Sequence, residues 1–504
     1  MLPQENTAII DLIDTDWHRR VREWEVWYSS DPETIANYYA AQAKKASEGR
    51  FYTELGTGQD TVMHMPLASD IAAVSASLLF SEAPEFDVPA AVQERFTEFA
   101  EAANLGALLL EAAELCAALG GVFVKIDIDP EVSEMPVISA MPPTSCRAVF
   151  HRGVVTSFLH WKNVKTDTAN DAVWRLVESR RRADGQIIIE TALYKGRADN
   201  IGKLVSMDSI DETKGFSADP VGIVTERGIG VVYVPNRLPN RLRPNSPQGV
   251  SDYQSCVSLL DALDAAYTAW WRDIEDGRSR LMIDESLLDG TKSKDGSPRF
   301  NTNDRAYVKL AMEAARVGEH GYKPIEQVQF DIRMEEHKAS CLHLIEQIVD
   351  RAGYSPASFG FGLEGRAESG TALRMRERKS MLTRNKKSRY WTARIKDLLW
   401  QVGEFDRLMG GRGGWDINVT LSDSIVPDEL ERAQTVQALA AAGAVSLERM
   451  VRIINPDWDD PQVQAEVEAI RSETGLALQG FEGDPVPMGA GANTGSNTGT
   501  EDDE

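Results

Sequence analysis

Thr371 to Met409 reads as one helix of 39 residues. At 1.5 Å rise per residue it would span about 58 Å, whereas helices of globular domains usually run roughly 8 to 20 residues. A single rounded core seldom needs such an element. Two more helices stand before it. From Ser251, with Gln254 three residues on as a capping-box signature, Tyr253, Val257, Leu260, Leu263, Tyr267, Trp270 and Ile274 recur at three- and four-residue steps until Gly277. That period predicts a helix of roughly 25 residues, about 40 Å long. Its opposite side carries Asp261, Asp264 and Glu275, which predicts a long acidic face. Met334 to Ala352 gives the next helix, striped by Met334, Cys341, Ile345 and Ile348 and stopped by Gly353. Between these two, residues 278–333 break into short strands and one short helix with polar, Gly-containing turns.

The rest of the chain sorts by hydrophobic period. Ile9, Ile10, Ile13, Trp17, Val21 and Trp24 form one helical stripe, and Asp31-Pro32 opens a second helix. Residues 69–80 and 89–119 are helical by their Ala, Leu and Glu content. After Gly120-Gly121 the pattern switches to a period of two. Val122, Val124, Ile126 and Ile128 take one face of a half-buried strand, with Phe123, Lys125, Asp127 and Asp129 on the other. Alternating runs flank His151-Arg152-Gly153 and Asp184-Gly185, predicting hairpins, so residues 120–235 read as a largely antiparallel β region. A turn-rich linker follows from Pro235 to Pro247. WDINVTL at Trp415–Leu421 alternates as a strand, and 427–475 is Ala-rich and helical. From Gly483 onward Gly, Asn, Thr, Pro and acid predict disorder. The fold class is helix-rich α+β, and 504 residues predict two to four packed units.

Composition narrows the chemistry. With 54 basic against 78 acidic residues the formal charge is -24, which disfavours a general nucleic-acid coat, because phosphate affinity needs a net basic face. Cys116, Cys146, Cys256 and Cys341 are scattered as ordinary thiols of a reducing compartment. The start MLPQENTAII lacks signal-peptide order, and the most apolar stretch, Leu105 to Val124, carries Glu111 and Glu114, so a soluble chain made in the cytoplasm is expected. Gly360 to Gly365 matches GxGxxG, yet no strand precedes it and no helix opens at its end, so it reads as a mobile glycine loop. Asp127 and Asp129 could hold a divalent cation, but simple alternation already puts both on the exposed face of a strand end. Asp457, Asp459 and Asp460 lack the Gly and Glu of a calcium loop. His337 and Cys341 share a helix face without a third ligand. No HExxH, GxSxG or P-loop string occurs, and no cofactor or metal is expected. One local feature remains. Arg366, Arg374, Arg376, Arg378, Lys379, Arg384, Lys386, Lys387, Arg389, Arg394 and Lys396 face only Glu368 and Glu377, a basic run in an acidic chain.

Four stretches, in order, resemble the portal proteins of tailed bacteriophages. SPQGVSDYQSCVSLLDALDAAYTAWWRDIEDGRSRLMI resembles the family's turn, first stem helix and first clip strand, with Gly249, Ser251, Leu260, Asp261 and Asp264 in place. IEQVQFDIRMEEHKASCLHLIEQIVDRAGYSPASFGF is similar to the clip exit, second stem helix and following loop, through Ile332, Arg333, Glu336, Gly353, Pro356 and Phe359. ESGTALRMRERKSML resembles the start of the family's long helix, and VTLSDSIVPDELERAQTVQALAAAGAVS its last wing strand running into the crown.

The resemblance implies an N-terminal helical segment at 1–60, a wing at 61–240, stem helix 1 at 241–277, a clip at 278–333 and stem helix 2 at 334–353. A tunnel loop would follow at 354–369, the long helix and closing wing strand at 370–425, a crown at 426–478 and a disordered acidic tail at 479–504. It implies a non-enzymatic homo-oligomeric ring, a dodecamer, at the capsid vertex of the virion. That ring would pass double-stranded DNA during packaging and ejection. Its partners would be the large terminase, head-completion or adaptor proteins, and the major capsid and scaffolding proteins, with no membrane. Phe359, Gly360, Gly362, Gly365, Arg366 and Ser369 would form the tunnel loop, and Lys292, Lys294, Arg299 and Arg305 the clip docking surface. Arg374, Arg378, Lys386, Lys387 and Arg389 would form a basic belt, best read as meeting acids of a neighbouring subunit. Two other readings are a metal-dependent enzyme using Asp127 and Asp129, and a structural adaptor without a channel.

Overall fold

A computed structural model describes residues 2–13, 15–46, 62–277, 280–284, 307–310, 325–328, 332–361, 370–421, 429–455, 458 and 460–479. The chain divides into a unit of Met1–Ser424 and a unit of Ile425–Glu504. In the first, a short 3-10 turn at Ile9–Leu12 leads into α1 (Thr15–Ser29), α2 (Pro32–Ala46) and α3 (Leu67–Phe80). Then come β1 (Glu85–Asp87), α4 (Gln93–Ala102), α5 (Leu105–Leu119), β2 (Gly121–Asp127) and β3 (Val137–Met141). A run of strands follows, β4 (Cys146–His151), β5 (Val154–Asp167), β6 (Ala172–Ala183), β7 (Gln186–Gly196), β8 (Lys203–Val205), β9 (Val221–Val224) and β10 (Val231–Pro235). The last part holds α6 (Val257–Asp276), β11 (Arg280–Asp284), β12 (Tyr307–Leu310), β13 (Ile325–Val328), α7 (Met334–Ala352), α8 (Gly370–Leu408) and β14 (Asn418–Thr420). The second unit contains α9 (Glu429–Ala441), α10 (Leu447–Ile454) and α11 (Asp460–Gln479), with Val451, Val463 and Val467 as its small core.

The antiparallel β region forms as its alternation requires. β4 to β8 make one sheet in sequence order, and β9 pairs with the start of β7. Asp184 and Gly185 both take positive φ between β6 and β7, the two-residue turn whose twist matches the strands it joins. A second sheet has the order β10-β2-β3. Its central strand β2 departs from the half-buried expectation, because Phe123 is as buried as Val122 and Val124. With β10 and β3 on its edges, β2 has α5 on one face and β5 and Tyr233 near the other, so both faces are covered.

Two large apolar clusters organise the first unit. One joins α4, α5, the β10-β2-β3 sheet and the C-terminal half of α8. The other joins α1, α2 and α3 with α6, α7 and Tyr354. The long helix therefore has support beneath it, as Trp391, Ile395, Leu398, Leu399, Val402 and Phe405 are all buried. Trp415 lies against α8 at Gly403, where an added Cβ would come within 2.7 Å of its indole. Phe96 and Phe99 hold the same indole edge-on. Among the described residues no single helix is long and apolar enough to cross a membrane.

Three sequence expectations change. The stripe from Ile9 to Trp24 splits: Ile9, Leu12 and Ile13 pack on Trp161, Val177 and Tyr194, whereas Trp17, Val21 and Trp24 join the helical cluster. The helix expected over 89–119 breaks at Asn104, which takes φ 44° between α4 and α5. The helix expected from Ser251 starts at Val257, because residues 251–256 close as i→i−3 turns, Gln254 N–H onto the Ser251 carbonyl and Cys256 N–H onto that of Tyr253, while Asp252 N–H and the Ser251 hydroxyl donate to the Ala117 carbonyl of α5. The run from Gly483 onward lies outside the described residues.

Gly403→Ala tests the helix-to-indole contact. Alanine favours a helix by about 1 kcal/mol over glycine, but here its methyl meets a fully buried ring. We expect a net loss of about 1–3 kcal/mol in urea unfolding; a gain in stability would contradict the packing.

Candidate functional site

The two ends of the α6–α7 pair are fixed by different chemistry. At the inner end lies a fully buried carboxylate, Asp252. Its Oδ2 accepts hydrogen bonds from Lys387 Nζ at 2.5 Å and Tyr354 OH at 2.7 Å, and its Oδ1 from Asn236 Nδ2 at 2.9 Å. Lys387 also donates to Ser75 Oγ at 2.6 Å and to Tyr354 OH at 3.0 Å, so each of its three N–H groups has an acceptor. Arg237 bridges the carbonyls of Asp252 and Ala352 at 3.0 and 3.2 Å. Burial raises the Asp252 carboxyl, but the Lys387 and Arg237 charges outweigh it and hold the group below the usual carboxylate range. The entry to α6, the exit from α7, α3 and α8 thus meet at one ionic centre.

At the outer end Asp273 of α6 accepts both Arg333 nitrogens at 3.0 Å and His337 Nε2 at 2.8 Å. These bonds tie the last turn of α6 to the first turn of α7. Beyond them β12, β11 and β13 form a three-stranded sheet, with β12 parallel and β13 antiparallel to β11. Lys292, Lys294, Arg299 and Arg305 lie outside the described residues.

The predicted acidic face of α6 is only partly open. Asp264 is 1 % exposed, a correction to its place on that face. Its carboxylate is covered by α2 and the segment before α3, accepting from Tyr39 OH at 2.8 Å, His64 Nδ1 at 2.8 Å and Met65 N–H at 3.0 Å. Asp261, one turn before it, is half-buried with its Oδ1 enclosed and without a hydrogen bond. Burial, then the nearby Asp264 and Glu23, push its carboxyl up to about 7. Glu275 is half-exposed near the far end.

The segment after α7 is seated on the long helix. Ser355 N–H donates to Ser380 Oγ at 2.8 Å, Ser355 Oγ to the Arg376 carbonyl at 2.5 Å, and Thr383 Oγ1 to the Gly353 carbonyl at 2.5 Å. A 3-10 turn then runs from Pro356 to Phe359, and Gly360 closes it at φ 79°. Phe359 packs edge-on to Tyr354. Phe359 and Gly360 therefore form the docked root of the predicted tunnel loop. Gly362, Gly365, Arg366 and Ser369 lie outside the described residues.

The basic run divides by helix face. Arg378, Lys386 and Arg389 are exposed, whereas Lys387 and Arg384 are buried on the opposite side. Lys387 thus leaves the predicted belt for the Asp252 centre, and Arg384 donates to the Leu78 carbonyl at 2.8 Å. The Arg374 side chain lies outside the described residues. Asp127 is paired with the buried Arg180 and with Lys125 at 3.1 Å, in a cluster with Glu178 that joins β2 to β6. Burial opposes ionisation of Glu178, but Arg180 and Lys125 win and bring it down to about 2. Asp129 accepts the Glu131 N–H in a turn. Its partner charges make Asp127 a structural ion-pair member, and no group of three or more ligands suited to a metal occurs among the described residues.

Comparison with known proteins gives one family. The model described as "Phage portal protein, SPP1 Gp6-like" matches residues 11–477. No curated protein matches the chain. Among solved structures, the neck of a native GTA particle computed with C12 symmetry aligns at 13 % identity, covering 78 % of this chain and 90 % of that one, with a TM-score of 0.39. The virion of a native gene transfer agent particle aligns at 14 % identity, with 77 % and 89 % coverage and the same TM-score of 0.39.

Two outcomes test the buried charges. Lys387→Met strands a buried carboxylate, so the unassembled chain should lose about 3–5 kcal/mol in urea unfolding, while Lys386→Met next to it changes stability by less than about 0.5 kcal/mol. Equal effects would place both on one face. For Asp261 the folded pKa lies above the unfolded value of 3.8, so the folded state binds the extra proton between them. Its contribution is fully present below about pH 4 and is lost as pH rises towards about 7. Asp261→Asn should flatten that fall in thermal midpoint; an unchanged slope would remove Asp261 as its source.

Proposed function

Since the chain belongs to the SPP1 Gp6-like family of phage portal proteins, we propose that it assembles as a ring at the capsid vertex. The ring is a conduit for double-stranded DNA in packaging and ejection, and a docking platform for the large terminase and later for neck and tail-connector proteins. The observation that carries this reading is the α6–α7 pair. Its inner ends are locked on α8 through Asp252 and Lys387, and its outer ends lead to a small sheet. Copies of such a pair around an axis make a tube wall, with the sheets as a rim.

On this reading 61–240 and the closing strand β14 belong to the wing, α6 and α7 are the stem, 278–333 is the clip and 426–478 the crown. The family resemblance implies twelve subunits. Lys292, Lys294, Arg299 and Arg305 of the clip face the terminase and adaptor proteins, and wing and crown face capsid and scaffolding proteins. Glu275 contributes to an acidic channel wall, whereas Asp264 is buried and Asp261 is half-buried with its carboxyl raised. Such a wall repels phosphate, so DNA slides instead of sticking. Force and ATP hydrolysis come from the terminase, as this chain has no P-loop string. Synthesis in the host cytoplasm precedes incorporation into the virion. The Asp127 and Asp129 enzyme reading gains no support, since Arg180 and Lys125 already occupy Asp127.

Negative-stain microscopy of the purified protein should show rings with a central hole. A monomer at every concentration and salt would reject the proposal in favour of a structural adaptor. Shortening 360–366 should impair DNA packaging or retention more than ring assembly, and equal loss of both would contradict a channel role for the loop.

A further inference from the structure

The long helix carries a second stripe that its own chain leaves uncovered. At 100° per residue, Met375, Arg378, Leu382, Lys386 and Arg389 fall on one side of α8. They lie opposite Lys387, Trp391 and Ile395, which are buried. All five stripe residues are exposed, and the apolar ones strongly so: Met375 at 75 % and Leu382 at 52 %. Bases interleaved with large exposed apolar side chains are unusual on a simple solvated face. A phosphate backbone uses the bases but has no use for the methionine and leucine. A protein surface uses both.

The outer side of α7 has the complementary pattern. Cys341, Ile345, Ile348 and Ala352 are buried against the helical cluster. Glu335, Leu342 and Glu346 are exposed beside them within about 40° of one another around the helix, with Lys338 as the exposed base on the same row. Arg378 to Arg389 and Glu335 to Glu346 each cover about 16 Å along their helices. An α8 base already meets an α7 acid within one chain, as Lys379 Nζ lies 2.5 Å from Asp350 Oδ1. That contact uses the flank of each stripe and leaves the rest open.

Resting on the ring reading above, we propose that the Arg378–Leu382–Lys386–Arg389 stripe of one subunit docks on the Glu335–Leu342–Glu346 face of α7 in the next copy. Two different patches meeting head to tail are what a closed ring requires. The apolar pair supplies buried area, and the opposite charges set register and exclude a base-to-base approach. The basic run is thereby satisfied sideways, between subunits.

Charge exchange tests this directly. Arg378→Glu with Arg389→Glu should lower the ring fraction by about tenfold or more at physiological salt, read by mass photometry. Glu335→Arg with Glu346→Arg should do the same, and the four changes together should restore rings. Thermal midpoints of the unassembled variants guard against misfolding, since all four sites are exposed. Rings that persist in either double variant, or that fail to return in the fourfold variant, overturn the pairing while leaving the ring itself standing. Intact rings with weakened duplex-DNA binding would assign the stripe to phosphate and likewise overturn it. A wild-type chain that never forms rings would instead reject the underlying reading.

Discussion

A lysine ammonium enclosed with an aspartate is the constraint on which the first unit depends. Burying both charges is costly, and apolar side chains of equal volume could fill the space with no such penalty. An apolar contact, however, tolerates sliding, whereas Lys387 has three N–H groups that must meet Asp252, Ser75 and Tyr354 together. A one-residue slip of α8 would turn the ammonium by about 100° and leave two buried groups unpaired. The centre thus fixes the rotation of a 39-residue helix. It also fixes, through Tyr354 and Asp252, where α7 leaves and where α6 begins.

Rotation matters because the two sides of α8 do different work. With Lys387 turned inward, Trp391, Ile395, Leu398 and Val402 follow onto the core, and Gly403 lets the Trp415 indole lie against the backbone. The same rotation obliges Met375, Arg378, Leu382, Lys386 and Arg389 to face outward. A helix this long is more than one core needs, and the excess is surface. The α6–α7 pair is economical in the same way, buried along one side and open along the rest.

Much of this was legible in the string. The helical stripes of α6, α7 and α8, the hairpin turn at Asp184-Gly185 and the mixed α and β character all follow from local period and turn chemistry. What sequence could not resolve was the fate of single charges. Asp264 sits among acids on a helical wheel, yet Tyr39 and His64, more than 190 residues away, close over it. Lys387 stands between Lys386 and Ser388 in a basic run, and nothing local marks it as the buried member; only the position of Trp391 one turn later hints at it. Ser251 and Gln254 carry a helix-start signature, but the bonds of Asp252 N–H and the Ser251 hydroxyl to Ala117 hold this segment as turns against α5. In each case a long-range partner overrides a correct local rule.

On the proposed conduit reading, the distribution of charge bears on how DNA is handled. Among the described residues four bases are buried, Arg175, Arg180, Arg384 and Lys387, and four acids, Asp252, Asp264, Glu404 and Asp406. Their charges cancel, so burial among the described residues removes none of the chain's excess of acid. On that reading, an acidic lining repels a polyanion and offers few sites at which a moving duplex would be held. A basic stripe exposed to that channel would create such sites. On the proposed docking, bases that meet the α7 acids of a neighbour are instead neutralised where they stand, so the attraction that would close the ring is kept apart from the repulsion that would keep its bore free.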